Sequence, residues 1–180
     1  MSALHFLLDT LTSLYLGVLL LRFVMQLVRA NFRNPFADAI VRLTNPLIMP
    51  LRRALPPVGK MDSATIAAIL LFALFKVALI LGIFAVLPGP VTLILLTVRE
   101  LILAVLWLYV ILVFFYGIAS MLMAGGYSPI IEVLAQVCDP LLGRIRRTIP
   151  SIVGGLDLSF LWAIIALQVL ILLVKEFFPL

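Results

Sequence analysis

Four charged side chains lie within long apolar stretches of the sequence, where a charge has to be stabilised by a partner. They are Asp9, Lys76, Arg99 and Glu100. A charge near the centre of a membrane-spanning helix costs about 2.5–3.5 kcal/mol on insertion scales. Two acids and two bases at similar depth are therefore expected to neutralise one another, either to lock helices together or to form a path for ions or protons.

The spacing around Gly89 predicts which of these charges meet. Lys76 precedes Gly89 by 13 residues and Glu100 follows it by 11. At about 1.5 Å of rise per residue, an antiparallel helical hairpin sets the two side chains within about 3 Å of the same depth. We predict a Lys76–Glu100 ion pair and expect Asp9 to neutralise Arg99. In the alternative arrangement, Arg99 and Glu100 lie at the outer interface and the Lys76 ammonium extends to the headgroups.

Histidine and cysteine each occur once, as His5 and Cys138. One residue of each type excludes a bis-histidine haem site, a zinc triad, a Ser-His-Asp triad and an intramolecular disulfide within one chain. The sequence also has no glycine-rich phosphate loop. We therefore expect no catalytic residues, no metal, no cofactor and no enzymatic activity.

The composition predicts the elements that position these residues. Hydrophobic residues make up 65% of the chain and charged residues 12%, against about half and a quarter in globular proteins. The excess apolar surface has to face lipid. Four stretches reach the roughly 20 residues that a spanning helix needs: Leu4 to Val28, Ala64 to Leu87, Val91 to Met123 and Leu158 to Phe178. The expected fold is all-α, a polytopic membrane protein with four transmembrane helices.

The third stretch is too long for a helix perpendicular to the membrane. It is expected either to tilt or to begin with a separate outer piece at 91–98. Its connection to the second stretch, Pro88 to Pro90, is short and uncharged, whereas 31–61 and 125–156 are long and basic.

Positive residues stay on the cytoplasmic side during insertion. Both basic loops are therefore predicted inside, and both termini outside. Arg22, near the inner end of the first span, is expected to reach the headgroups. The net charge of +5 is assigned to this topology and to anionic phospholipid rather than to nucleic acid.

The two basic loops are copies of one another. The first reads NPFADAIVRLTNPLIMPLRRALPPVGKMD over 34–62, and the second reads SPIIEVLAQVCDPLLGRIRRTIPSIVGGLD over 128–157. An offset of about 94 residues, with one extra residue near the end, aligns the following motif positions: Asn45-Pro46 with Asp139-Pro140, Arg52-Arg53 with Arg146-Arg147, Pro56 with Pro150, and Asp62 with Asp157. The chain therefore divides into parallel repeats, 1–87 and 91–180. A pseudo-twofold axis along the membrane normal would place both loops on one face.

Each loop is predicted to form two short helices. Asn34-Pro35 and Ser128-Pro129 are typical of a helix start, and the second Asn/Asp-Pro pair is expected to end that helix and begin another. The second helix is amphipathic and is expected to lie on the lipid with its arginines among the headgroups. These arginines are Arg52, Arg53, Arg144, Arg146 and Arg147. Pro56 and Pro150 are expected to end it, and Asp62 and Asp157 to cap the outgoing spans.

The duplicated pattern [N/D]-P-L-x-x-x-[L/I]-R-R-x-[L/I]-P, followed by G-x-x-D or G-x-D, resembles the YggT family, also called YlmG. The resemblance covers nearly the whole chain, with Gly143 standing where the family often has Arg. It implies a bacterial inner-membrane protein. Relatives are linked to cytochrome cofactor assembly and nucleoid distribution in plastids, to division in some bacteria, and to osmotic or potassium homeostasis in others.

Three functional hypotheses follow. The first is a non-enzymatic scaffold or assembly factor that presents its basic loops to a membrane-protein partner, a second copy of the chain or anionic phospholipid. In the second, these loops only anchor the chain and fix its topology. The third is a small transport or ion-homeostasis component that uses Lys76 and Glu100.

Overall fold

The computed structural model of this chain describes residues 3–55, 62–83, 88–122, 128–148, 152–153 and 156–178. These ranges contain helices α1 (Ala3–Leu27), α2 (Pro35–Ala54), α3 (Ser63–Ile83), α4 (Pro90–Leu122), α5 (Pro129–Thr148) and α6 (Ser159–Phe177). A small antiparallel hairpin, β1 (Ile152–Val153) and β2 (Leu156–Asp157), lies between α5 and α6, with Ile152 opposite Asp157. The fold is all-α apart from this hairpin.

Within the described ranges, α1, α3, α4 and α6 are long and apolar enough to cross a membrane. Only 22% to 28% of the residues in the most apolar part of each are buried, so large apolar side chains such as Phe75, Phe115 and Leu172 face outward. α4 is one continuous helix of 33 residues, about 50 Å long against a hydrocarbon core of about 30 Å. Residues 91–98 are therefore continuous with the third spanning helix and not a separate piece, and this helix has to tilt or extend beyond the membrane.

The duplication of the sequence is a duplication of structure. α1 packs against α3 with α2 across both, and α4 packs against α6 with α5 across both. The repeats meet through α3 with α4, α1 with α4, and α2 with α5. α3 thus contacts the other repeat, whereas α6 packs against α4 and α5 of its own repeat.

The predicted break within each basic loop is wrong. α2 continues through Pro46 and Pro50, and α5 continues through Pro140. A proline removes one backbone donor and leaves the carbonyl four residues earlier without its helical bond. These three prolines lie on the exposed sides of their helices, where the freed carbonyls can be solvated, while the opposite sides are held by packing.

The predicted caps are partly confirmed. The Asn34 side chain accepts a hydrogen bond from the Ala37 N–H at 2.8 Å, with Pro35 following it, and Asp62 directly precedes α3. The N-cap position of α6 is Leu158, which makes no side-chain cap bond, and not Asp157, whose backbone pairs in β2. Pro56 and Pro150 lie outside the described residues.

Candidate functional site

The basic segments lie side by side at one end of the bundle. The Asn34 amide donates to the Pro129 carbonyl at 3.2 Å. The Asn31 N–H donates to Gln136 Oε1 at 2.8 Å, and its side-chain amide donates to Glu132 Oε1 at 3.2 Å. These bonds join the start of α2 to α5, as the pseudo-twofold arrangement predicts. We call the motif arginines of this end the arginine face: Arg52, Arg53, Arg144, Arg146 and Arg147.

The predicted apolar arcs of α2 and α5 pack mostly against the protein core, although Leu55, at the end of the arc on α2, is 39% exposed. Ile48 on α2 and Leu142 on α5 are fully buried, at 0% and 1% exposure, and Leu51 and Ile145 pack against the same core. The predicted seating of these sides on the lipid is therefore wrong. Covering the ends of the spanning helices buries the same apolar surface and leaves the arginines on the exposed side.

The two arginines of each motif have different surroundings. Arg52 forms an ion pair with Asp62, and Arg146 Nη1 lies 3.9 Å from Asp139 Oδ1. Arg53, Arg144 and Arg147 are exposed and have no ion pair among the described residues. The first arginine of each pair is thus occupied within the chain, and the second is available to a ligand.

Asp62 links the arginine face to the third helix. It accepts hydrogen bonds from Arg52 and from the Thr65 hydroxyl at 2.7 Å. Burial alone would raise the pKa of this carboxyl, but the bonds from Arg52 and Thr65 outweigh it and hold the pKa of Asp62 below its ordinary value of 3.8. The carboxylate form therefore stabilises the junction of α2 and α3.

The asparagine of the first motif, Asn45, accepts a hydrogen bond from a buried arginine. Arg22 is 3% exposed, and its Nη1 donates to Thr44 Oγ1 at 2.6 Å, Asn45 Oδ1 at 3.0 Å and the Val41 carbonyl at 3.3 Å. The expectation that Arg22 reaches the headgroups is wrong, because α2 covers it. Sequence reasoning missed this site; the available signal was a motif asparagine inside an amphipathic helix, opposite an arginine at the inner end of a span.

The second repeat builds this site differently. The offset of 94 aligns Arg22 with Tyr116, whose phenol interacts with Asp139 and Arg146. The motif aspartate, its arginine and a polar residue of the span therefore meet in this repeat as well. Cys138 lies beside them, fully buried, and its burial raises the pKa of the thiol to about 12.

Lys76 joins three spanning helices. It is 4% exposed, forms an ion pair with Glu100 of α4, lies 3.2 Å from Asp9 Oδ1 of α1 and donates to Ser13 Oγ at 2.6 Å. The structure therefore contains the predicted Lys76–Glu100 pair. Because Lys76 is buried in this pair, the alternative in which its ammonium extends to the headgroups is wrong.

Asp9 forms an ion pair with Lys76, and the predicted Asp9–Arg99 pair is wrong. Neighbouring residues on a helix do not face the same way, so Arg99 cannot share the partners of Glu100. Its Nε is buried without a hydrogen-bond partner in the described part of the chain.

Asp9, Lys76 and Glu100, which we call the charged cluster, border two cavities. One, of about 150 Å³, is also lined by Arg99 and Leu96. The other, of about 590 Å³, runs between α1 and α4 as far as Leu21 and Leu112. An offset of 95 aligns Lys76 with the buried Ile171, so the second repeat carries an apolar side chain at this position. Among the described residues, no three His, Cys, Asp or Glu side chains are grouped as metal ligands.

Four apolar helices and a duplicated span–amphipathic helix–span unit define a polytopic α-helical membrane protein. A family model described as CCB3/YggT matches residues 1–84 and again 95–178, and the chain belongs to this family. It is 40% identical over 177 residues to a protein of Pseudomonas aeruginosa, covering 96% of this chain and 88% of that one.

Two further relatives are similar over nearly their full length. YggT of Escherichia coli K12 is 34% identical over 177 residues, covering 98% of this chain and 91% of its own. A protein of Vibrio alginolyticus is 39% identical over 170 residues, covering 93% and 91%. No solved structure matches the chain significantly.

Proposed function

We propose that this protein is a non-enzymatic scaffold or assembly factor of the bacterial inner membrane, which holds an anionic partner on its arginine face. The observation that carries this proposal is the division within each motif. Arg52 and Arg146 are occupied by aspartates of the chain, whereas Arg53, Arg144 and Arg147 project outward from helices whose apolar sides are already buried.

This arrangement exceeds what a topology signal requires. Retaining a loop on the cytoplasmic side needs basic residues near the spans and no folded surface. Here two 20-residue helices are fixed to one another through Asn31 and Asn34. Guanidinium groups on such a platform are pre-organised for bidentate binding of carboxylate or phosphate.

The charge distribution supports a cytoplasmic location for the arginine face, by the preference of Lys and Arg for the inner side. Both termini then lie outside. The bacterial relatives support the inner membrane. The partner is either an acidic segment of another membrane protein or the headgroup of an anionic phospholipid, each Arg adding about 1 kcal/mol in the second case.

The test neutralises two of the three available arginines, one in each repeat, and spares the occupied ones. Arg53→Gln/Arg147→Gln is compared with Arg42→Gln, which removes an exposed arginine of the same helix α2, paired with Asp38 outside the motif. Proteins are captured from crosslinked bacterial membranes, and copurified lipids are quantified by native mass spectrometry. We expect the double variant to lose an acidic protein or anionic phospholipid that Arg42→Gln retains. Unchanged capture of both classes contradicts the proposal.

A second candidate function, ion or proton transport, is favoured by the position of the charged cluster. Asp9, Lys76 and Glu100 line both cavities, and charged groups inside spans commonly mark ion pathways. Reconstituted liposomes should then show cation or proton flux that Glu100→Gln abolishes and Asp38→Asn, at an exposed carboxylate on α2, leaves intact. Equal flux in both variants removes this candidate.

A further inference from the structure

One side of α6 is left exposed by the described part of the chain. Its buried residues follow a single four-residue spacing, Ser159, Ala163, Leu167 and Ile171, and it packs through this side against α4 and α5. Leu161, Ile165 and Leu172 are exposed at 45%, 53% and 64%. A narrow buried stripe thus leaves most of this helix facing lipid or another protein.

The uncovered side has the spacing of a helix–helix seam. Leu161, Ile165, Gln168, Leu172 and Lys175 follow one another at intervals of four, three, four and three residues, so they form one row along the helix. Gln168 distinguishes this row from the other exposed rows of α6. Gln168 occupies the centre of this seam, half-buried, and its amide makes no hydrogen bond within the described structure. An unsatisfied polar group at membrane depth costs several kcal/mol.

The first repeat shows this position covered. The offset of 95 aligns Gln168 with Ala73 of α3, which is fully buried. It aligns Ile165 with Leu70, which is also exposed, and Leu172 with Val77, which is half-buried. α3 packs against α4 of the other repeat, whereas the main packing of α6 in the described structure is against α4 and α5 of its own repeat. The unpartnered amide therefore stands where the duplicated fold elsewhere has a neighbour.

We infer that two copies of this protein pair through α6, in parallel, across a twofold axis along the membrane normal. The amide of each Gln168 donates to the Gln168 Oε1 of the other copy. A primary amide carries both a donor and an acceptor, so it is complementary to itself, and a twofold axis sets both copies at the same depth. Single polar residues in otherwise apolar seams fix register and dimeric state in this way.

A second copy fits this seam better than a partner of other chemistry. Apart from Lys175 at its end, the seam has no charge that calls for an opposite one. The inference is independent of the arginine face, which is formed by other helices.

Cysteine crosslinking tests the pairing in native membranes. Cys138→Ala removes the one natural thiol, and single cysteines then replace seam residues, Ile165→Cys or Leu172→Cys. The matched controls are Leu170→Cys and Leu173→Cys, exposed residues of the same helix at 47% and 42% outside the seam. On oxidation we expect disulfide-linked dimers from the seam positions and monomers from the controls.

A second measurement isolates Gln168. Because lipid supplies no hydrophobic drive between spans, Gln168→Leu should weaken dimerisation about tenfold, measured by single-molecule photobleaching in vesicles at several dilutions. Gln168→Asn should retain most of it. Monomer melting should not change, since Gln168 makes no bond within the described chain. Equal crosslinking at seam and control positions, seam crosslinks to a different protein, or unchanged dimerisation in Gln168→Leu would each overturn the inference.

Discussion

Arg22 Nη1 and Asn45 Oδ1 lie 3.0 Å apart and join the inner end of the first span to the middle of a helix that contains two prolines. The same nitrogen bonds Thr44 and the Val41 carbonyl. Both lie in the turn that precedes Pro46, which removes one helical donor from α2. The guanidinium thus satisfies polar groups of α2 near the proline and explains why a helix with this sequence docks on the bundle.

Replacing Arg22 by Met should separate α2 from the bundle. The substitution leaves Asn45 without its donor and costs about 1–3 kcal/mol. The temperature of thermal unfolding in detergent should fall, and α2 should be the first helix to lose its protection from hydrogen exchange. Arg42→Met, on the exposed side of α2, is the control; equal melting of the two variants would show that the Arg22 bonds contribute nothing.

Arg29→Gly should stabilise the protein. Arg29 has a φ of 53°, and α1 ends there with an Ala30 N–H bond to the Met25 carbonyl at 2.9 Å and an Arg29 N–H bond to the Gln26 carbonyl at 3.2 Å. This is the helix end that normally places glycine in the left-handed conformation. Relief of that conformation should raise stability by about 1 kcal/mol.

The control for Arg29→Gly removes the charge but keeps the Cβ. Arg29→Ala should not melt higher than the parent protein. If both variants gain stability equally, the removed charge and not the backbone conformation is the cause.

Lys76→Met should destabilise the packing of α1, α3 and α4. It leaves the carboxylates of Asp9 and Glu100 without their cation, and breaking a buried pair typically costs about 3–5 kcal/mol. Lys76→Met/Glu100→Gln should recover part of this loss, because one of the two stranded charges is gone. Unfolding in mixed micelles by titration with SDS ranks the stabilities of the parent protein and the two variants. A double variant less stable than the single one would contradict the assigned pair.

The Asp62–Arg52 pair should make stability depend on pH in the acid range. The pKa of Asp62 is lowered in the folded protein, so its contribution is complete above the unfolded pKa, near 3.8, and is lost as the pH falls through the lower folded value. Asp62→Asn should lower stability at pH 7 by up to about 1 kcal/mol and flatten the acid dependence. Asp38→Asn, at an exposed carboxylate, is the matched control; an acid dependence as steep in Asp62→Asn as in Asp38→Asn would contradict this prediction.

The sequence determined the features that depend on composition and on local spacing. Long apolar stretches have no stable place except in lipid, so the four spans followed directly. The repeated Pro, Arg and Asp positions predicted the duplication, and the short turn around Gly89 brought Lys76 and Glu100 to the same depth, where opposite charges in an apolar medium pair.

Other features depend on how helices that are distant in the sequence pack together, and these are seen only in the tertiary structure. Whether Pro46 ends a helix depends on what packs on its opposite side, and Ile48 and Arg22 hold that side in place. Asp9 meets Lys76 and not Arg99 because the rotation of α1 against α3 and α4 is fixed by packing. Local sequence does not encode which faces of distant helices meet. The packing of these faces determines which arginines pair with an aspartate of the chain and which stay available.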